Sequence, residues 1–340
     1  MPVPSYDAVD TAPVAVAAAG YGYGKAGGLV RVAPLCGFFI GIVTYTACRA
    51  IAVVEDTYLG DIPWPFFSDT GRDRPAYYVF VAGMLLGAPC YAMTFYLIHR
   101  RTHQWLGQAG AAGGEALLPG GCGLLASTGT FFAILATPCL PLLAIFDTSR
   151  YPITHQSCAD AFFCGATVAT CCYTLLFCIL QGAYPDHRGL ELSCRVKVAV
   201  LFAFLVGFLL YLPVGIPLAC PARLLSVAEC IEDEHLAESY CYGNIYPAND
   251  MYTILYTYRD CPGVYTMRTL AQTVCVFSIL LYTLTFCLDL GPEMRKLRQS
   301  PLSGSDYVSE PFGNDHGLLV LSGTPESAGK LDAAAAVAGG

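Results

Sequence analysis

The sequence predicts an all-α fold, a polytopic membrane protein built as a bundle of six transmembrane helices. Three observations carry that prediction. Only 13% of the 340 residues are charged and 55% are apolar, with a mean hydropathy of +0.52, whereas soluble domains carry about a quarter charged residues. The missing charge takes the form of long uncharged stretches, six of them long enough to cross about 30 Å of hydrocarbon as helices. These runs are too long for barrel strands, and a helix satisfies its own backbone where lipid offers no partner. The spans fall at residues 32–54, 77–98, 122–146, 161–180, 196–218 and 267–290.

In chain order, residues 1–31 are rich in Ala, Gly and Pro. Their "AVAAAG" is too short for a secretory signal and has no basic flank, so the stretch reads as a flexible cytosolic leader. Lys and Arg in the loops then set orientation. Lys25 and Arg31 precede the first span, Arg100 and Arg101 follow the second, and Arg188, Arg195 and Lys197 lie between the fourth and fifth. Arg295, Lys296 and Arg298 follow the sixth, so both termini are expected in the cytosol. The net charge of −8 resides in the opposite loops and the tail. No basic run suits nucleic acid; membrane lipids and membrane proteins are the expected partners.

Residues 219–266 form a long acidic, Tyr-rich loop on the far side, carrying Cys220, Cys230, Cys241 and Cys261. In an oxidising compartment they read as two disulfides, in any of three connectivities. Cysteines inside the spans read as small apolar residues. Even Cys171, Cys172 and Cys178 of "ATCCYTLLFC" have no intramembrane His beside them, so no metal and no cofactor is expected. Residues 291–340 read as a disordered cytosolic tail. Within it, Asp315, Leu318 and Leu319 of "NDHGLLVL" fit an acidic di-leucine sorting signal.

Ionisable groups at mid-bilayer are functional candidates because each costs about 2.5–3.5 kcal/mol to insert. Arg49 reads as snorkelling from the end of the first span, Arg195 and Lys197 as flanking the fifth, and Asp289 as ending the sixth. No proton relay follows, which leaves a small-solute transporter as a third reading. Gly-x-Ser-x-Gly, His-Glu-x-x-His and Walker patterns do not occur. One set of residues, Asp69, His155 and Asp160 with Ser68, can converge at the membrane surface for acid–base chemistry on a lipid. The competing roles are structural, with Asp160 capping the fourth helix and Asp69 its own turn.

The stretch "PWPFFSDTGRDRP" raises a protease question, because Asp-Thr-Gly with a second copy in "IFDTSR" suggests paired aspartates. That reading fails. Two such carboxylates must share a proton, whereas Asp69 and Asp147 lie in loops between helices and the second copy lacks its glycine.

The same stretch, "GDIPWPFFSDTGRDRPAYYVFVAGM", resembles the first loop of the Frag/DRAM/Sfk superfamily, which includes the damage-regulated autophagy modulators. The matching residues are Pro65, Phe66, Phe67, Ser68, Asp69, Thr70, Gly71 and Pro75. The resemblance continues through "GMLLGAPCYAMTFYLIHRR", "SCRVKVAVLFAFLVG" and "LYTLTFCLDL", covering about residues 33–218 and 265–290. Phe67 stands where the autophagy modulators have Ile, and the Cys-rich loop is longer than theirs. The resemblance implies a non-enzymatic regulator in lysosomal or endosomal membranes, acting in autophagy or membrane-lipid homeostasis. A related branch, the N-terminal domain of GPI-anchor-remodelling and cell-wall-biogenesis proteins, implies anchor or sphingolipid remodelling in the Golgi or endoplasmic reticulum, and other members act at the plasma membrane. Ser68 to Gly71 suits a tight turn, with Gly71 free to take positive φ. Trp64, Phe66 and Phe67 read as interfacial anchors, and Trp64, Arg72 and Arg74 as candidates for binding lipid headgroups.

Overall fold

The computed structural model describes residues 31–111, 121–184 and 188–290. In chain order the elements are α1 (Val32–Val54), α2 (Phe67–Thr70), α3 (Ala76–Ala111), α4 (Cys122–Ala136), α5 (Cys139–Ile145), α6 (Pro152–Ala183), α7 (Arg188–Tyr211) and α8 (Gly215–Leu218). Then follow β1 (Arg223–Ser226), α9 (Val227–Glu232), α10 (Glu238–Gly243), β2 (Ile245–Tyr246), β3 (Asn249–Thr257) and α11 (Pro262–Asp289). Among the described residues, six segments are long and apolar enough to cross a membrane: α1, α3, α4 with α5, α6, α7 with α8, and α11.

Two spans are broken. The third is interrupted between α4 and α5 at Thr137 and Pro138, where proline contributes no N–H to the ladder. The fifth is interrupted between α7 and α8, beside Pro213. α6 and α11 form the centre of the bundle: 56% and 50% of their most apolar windows are buried, against 28–33% for the other four spans. Around Tyr173, Phe177, Tyr282 and Phe286 the aromatic rings meet edge-on or tilted, the geometry the ring quadrupole favours. α1 and α3 approach closely through glycines, Gly37 on one and Gly83 and Gly87 on the other, while Gly41 of α1 makes room for Leu280 of α11. A Cβ on Gly83 would collide with Thr44 and one on Gly37 would press on Cys90, the small-residue contact expected between helices in lipid.

Helix starts depart from the sequence reading in three places, the sixth spanning helix beginning at Pro262 instead of residue 267. The fourth spanning helix begins at Pro152, so Asp160 lies two turns inside it and does not cap it. The fifth begins at Arg188, which carries Lys197 about 14 Å along its axis. Lys197 is therefore no flanking residue: it is wholly buried and paired with Asp289 at 2.5 Å.

The segment between α8 and α11 folds over one end of the bundle as a small cap. Its antiparallel sheet runs in the order β1-β3-β2, an addition to the all-α expectation. Tyr58, Leu225, Cys230, Cys241 and Leu255 make a core of its own. The disulfides are Cys220–Cys261 and Cys230–Cys241, one of the three connectivities open from sequence.

Candidate functional site

The loop between the first two spans lies between the bundle and the cap. After the extended residue Phe66, Phe67 to Thr70 make one helical turn, closed by Thr70 Oγ1 donating to the Phe67 carbonyl at 2.7 Å. The Phe67 N–H donates to Gln272 Oε1 of α11 at 3.0 Å, so a spanning helix holds the start of the turn. The aromatics point inward instead of anchoring at the interface. Phe67 is buried between Tyr45 and Phe80, and Phe66 meets Tyr258, Tyr265 and Tyr211. Gly71 has φ −102°, so its absent side chain answers to space: a Cβ there would lie 2.6 Å from the Phe80 ring.

The loop's polar side chains serve the join. Asp69 Oδ2 accepts from Tyr258 Oη of the cap at 3.1 Å, and Oδ1 accepts from Thr148 Oγ1 of the loop before α6 at 3.3 Å. The carboxylate that sequence assigned to its own turn thus bridges three segments. Asp147 is the one that caps locally, accepting from the N–H groups of Ser149 and Arg150. Burial raises the Asp69 carboxyl above the ordinary carboxylate range, against the lowering pull of Arg72 and the Tyr258 hydrogen bond. Arg72 is 6% exposed. It donates to both Asp73 oxygens at 3.0 Å, to the Tyr58 carbonyl at 2.7 Å and to Tyr240 Oη at 3.2 Å. Tyr240 Oη in turn donates to Asp73 Oδ2 at 2.6 Å. Burial works to raise Asp73, but the Arg72 charge and these hydrogen bonds outweigh it and hold the carboxyl below its usual value. Arg72 is therefore spent on the cap and turned away from lipid, whereas Arg74 stays exposed over the Tyr78 ring. Trp64 donates to Thr273 Oγ1 at 2.9 Å beneath the Arg49 guanidinium, 4.0 Å from its ring.

Beneath this loop a cavity enters the bundle. The centres of water-sized molecules fit over about 130 Å³ of it. Glycines 37, 41, 83 and 87, with Val276, Ile279, Leu280 and other apolar side chains, form most of the wall. From Phe80 to Tyr91 the lining follows α3 for about 16 Å. Its polar groups are few, and Ser68, His155 and Gln272 gather at the loop end. His155 is buried, with Nδ1 2.7 Å from the Leu143 carbonyl and 3.0 Å from that of Phe146. Because carbonyl oxygens only accept, Nδ1 carries the hydrogen that faces them. Deeper in the cavity, the buried Tyr91 hydroxyl has no hydrogen-bond partner among the described residues. Thr44 and Thr283 also line the wall, but their hydroxyls donate to the Ile40 and Ile279 carbonyls, and the remaining wall is apolar, a poor match to a solute path through mid-membrane.

Of the sequence-derived candidates, Phe67, Ser68 and His155 line this cavity. Asp69 is turned to the cap above it. Asp160 accepts from Gln156 Nε2 at 2.6 Å within α6 and is not among the lining residues. The charge of His155 is felt by both Asp69 and Asp160, but the hydrogen bonds of all three go elsewhere: Asp69 to Tyr258 and Thr148, Asp160 to Gln156, and His155 to the Leu143 and Phe146 carbonyls. Pro65 is buried and Pro75 exposed at the loop's two ends. Asp315, Leu318 and Leu319 lie outside the described residues. Sequence reasoning missed Gln272, Tyr258 and Tyr240, which hold the loop, because nothing local marks a residue some 170 to 200 positions away as a partner. It also missed Lys197 with Asp289. The two glycine pairs were legible as Gly-x-x-x-Gly in "GFFIG" and "GMLLG".

No curated protein and no solved structure matches the chain. The model for the Frag1/DRAM/Sfk1/Cwh43P N-terminal domain matches residues 30–293, from before α1 to just beyond α11. The six apolar helices, the Ser-Asp-Thr-Gly loop wedged beneath the cap and that match over most of the sequence lead to one conclusion: the chain is an integral membrane protein of the Frag1/DRAM/Sfk1/Cwh43P family.

Proposed function

We propose that this protein is a non-enzymatic membrane regulator that holds a chain of one membrane lipid in the cavity beneath the motif loop, acting in autophagy-linked lipid homeostasis of endolysosomal membranes. The observation that carries the reading is the cavity itself: a mostly apolar wall about 16 Å long with Ser68, His155 and Gln272 gathered at the loop end. Ligand sites are concave and mostly apolar with a few placed polar groups, and inside a bilayer the ligand at hand is a lipid tail. The two disulfides suit a cap in an oxidising lumen, and the charge pattern supports cytosolic termini, the side on which a Leu318–Leu319 sorting signal would be read. The test is to purify the protein from its own membranes and quantify co-purifying lipids by mass spectrometry, beside Gly87→Phe, which fills the cavity from α3. One lipid class enriched near one per protein, and lost in the variant, is expected. The same lipids in both preparations overturn the reading. For the compartment, a tag on the leader is imaged against lysosomal and Golgi markers, with Leu318 and Leu319 changed to Ala in parallel.

A second reading is lipid remodelling, and it rests on Ser68 and His155 lining the same cavity with the His155 ring fixed by two carbonyls. His155→Gln separates the two. A regulator retains its bound lipid in that variant, whereas a remodelling factor leaves anchored lipids unprocessed in the cell.

A further inference from the structure

Thirteen cysteines are free among the described residues, and two of them stand apart. The sulfurs of Cys178 on α6 and Cys194 on α7 are 2.8 Å apart, with Cys194 buried and Cys178 partly exposed. A disulfide requires about 2.05 Å between its sulfurs, a closure of less than 1 Å. Both sit close to the helix ends opposite the cap. Cys178 lies five residues before the end of α6 and Cys194 six residues after the start of α7, roughly 8–9 Å inward.

The neighbours of each thiol belong to one cluster. Ser193, adjacent to Cys194, donates to Asp289 at 2.6 Å and accepts from Lys197 at 2.7 Å. Phe177, adjacent to Cys178, lies with its ring centre 4.4 Å from the Lys197 ammonium. The Lys197–Asp289 pair ties α7 to α11, and a bond between the thiols would tie α6 to α7 at the same level.

We infer that Cys178 and Cys194 form a redox-modifiable dithiol that peroxide converts to an inter-helix disulfide, locking the ends of α6, α7 and α11 together. The side away from a disulfide-bonded cap is the reducing one, so the resting form is the dithiol. One thiolate attacks a peroxide oxygen, giving a sulfenic acid and, after protonation, water. The second thiol then displaces that hydroxyl as water and closes the S–S bond. Two thiols lose two electrons and two protons, and one hydrogen peroxide becomes two waters.

The test uses the full chain in detergent, first reduced mildly enough to keep both cap disulfides. It is treated with hydrogen peroxide, quenched, alkylated in denaturant and digested for peptide mapping. The expected result is a cross-linked Cys178–Cys194 peptide, two fewer alkylated thiols, and a thermal midpoint that rises on oxidation and falls back with dithiothreitol. Cys194→Ser is expected to lose the cross-link and the shift, while its midpoint in reducing buffer stays near wild type. Full alkylation of both thiols after peroxide overturns the inference. So does a Cys178 cross-link to any other cysteine, or oxidation that stops at sulfinic acid on either residue.

Discussion

The ammonium of Lys197 on α7 lies 2.5 Å from Asp289 Oδ2 on α11, and neither side chain exposes any surface. Ser193 bridges the two charges, and the rings of Phe177 and Phe286 close over the ammonium at 4.4 and 4.7 Å. Removing one member of such a pair leaves a buried charge uncompensated, at about 3–5 kcal/mol, whereas replacing both with apolar groups of similar volume is near neutral. Lys197→Met and Asp289→Leu are each expected to lower the thermal midpoint of the detergent-purified protein sharply, and the double variant to recover most of the loss. A double variant as unstable as either single one would mean that the pair does more than neutralise itself.

The glycines of α1 and α3 are not equivalent. A Cβ at Gly83 runs into the Thr44 side chain, whose hydroxyl is fixed on the Ile40 carbonyl at 2.7 Å, while one at Gly87 has Ile40 Cγ2 as its nearest neighbour at 3.8 Å. Gly83→Ala is therefore expected to destabilise the bundle by about 1–3 kcal/mol through overpacking, and Gly87→Ala to be tolerated. Thermal midpoints of the two variants side by side check this, and equal midpoints would refute it.

Asp69 sets a pH dependence of definite sign. Burial lifts its folded-state carboxyl above the unfolded value of about 3.9, so folding takes up a proton there. Its contribution to stability is fully present below the unfolded value and is lost as pH rises through the folded one. Acidification towards the unfolded carboxyl value is expected to raise the midpoint through Asp69, and Asp69→Asn to flatten that rise. Glu234, also raised by burial, acts in the same direction, so the measurement is the difference between the wild-type and Asn curves. Asp73 works oppositely, its lowered carboxyl withdrawing support only at strongly acid pH.

The bundle was legible because lipid imposes a length and a composition on every span. Span ends were less legible, since amphipathic turns continue a helix past the apolar run. That is how Lys197 came to be read as a flank when it is a buried partner, and Asp160 as a cap when it is two turns inside. The motif loop was legible as a unit but not in its partners. Asp69 reaches Tyr258, and Arg72 reaches Tyr240, across most of the chain, and a tight turn and a cap bridge use the same Ser-Asp-Thr-Gly residues. The cap's strands were missed because its sheet is small and leans on two cross-links for its core.

Those cross-links differ in what they hold. Cys220–Cys261 closes a separation of 41 residues at the neck of the cap, where Tyr265 Oη also donates to the Cys220 carbonyl at 2.6 Å. Cys230–Cys241 closes only 11 residues within the cap core. Loop-closure entropy assigns about 4 kcal/mol to the first and about 3 kcal/mol to the second. Global stability is therefore expected to fall further in Cys220→Ser with Cys261→Ser than in the inner pair of substitutions. The local effect runs the other way. Cys241 follows Tyr240, whose hydroxyl anchors Asp73, so loss of the inner disulfide frees the residue that grips the motif loop. Hydrogen exchange over residues 66–73 is expected to quicken more in Cys230→Ser with Cys241→Ser than in the neck variant. Equal exchange in the two would show that the bundle holds the loop through Gln272, without help from the cap.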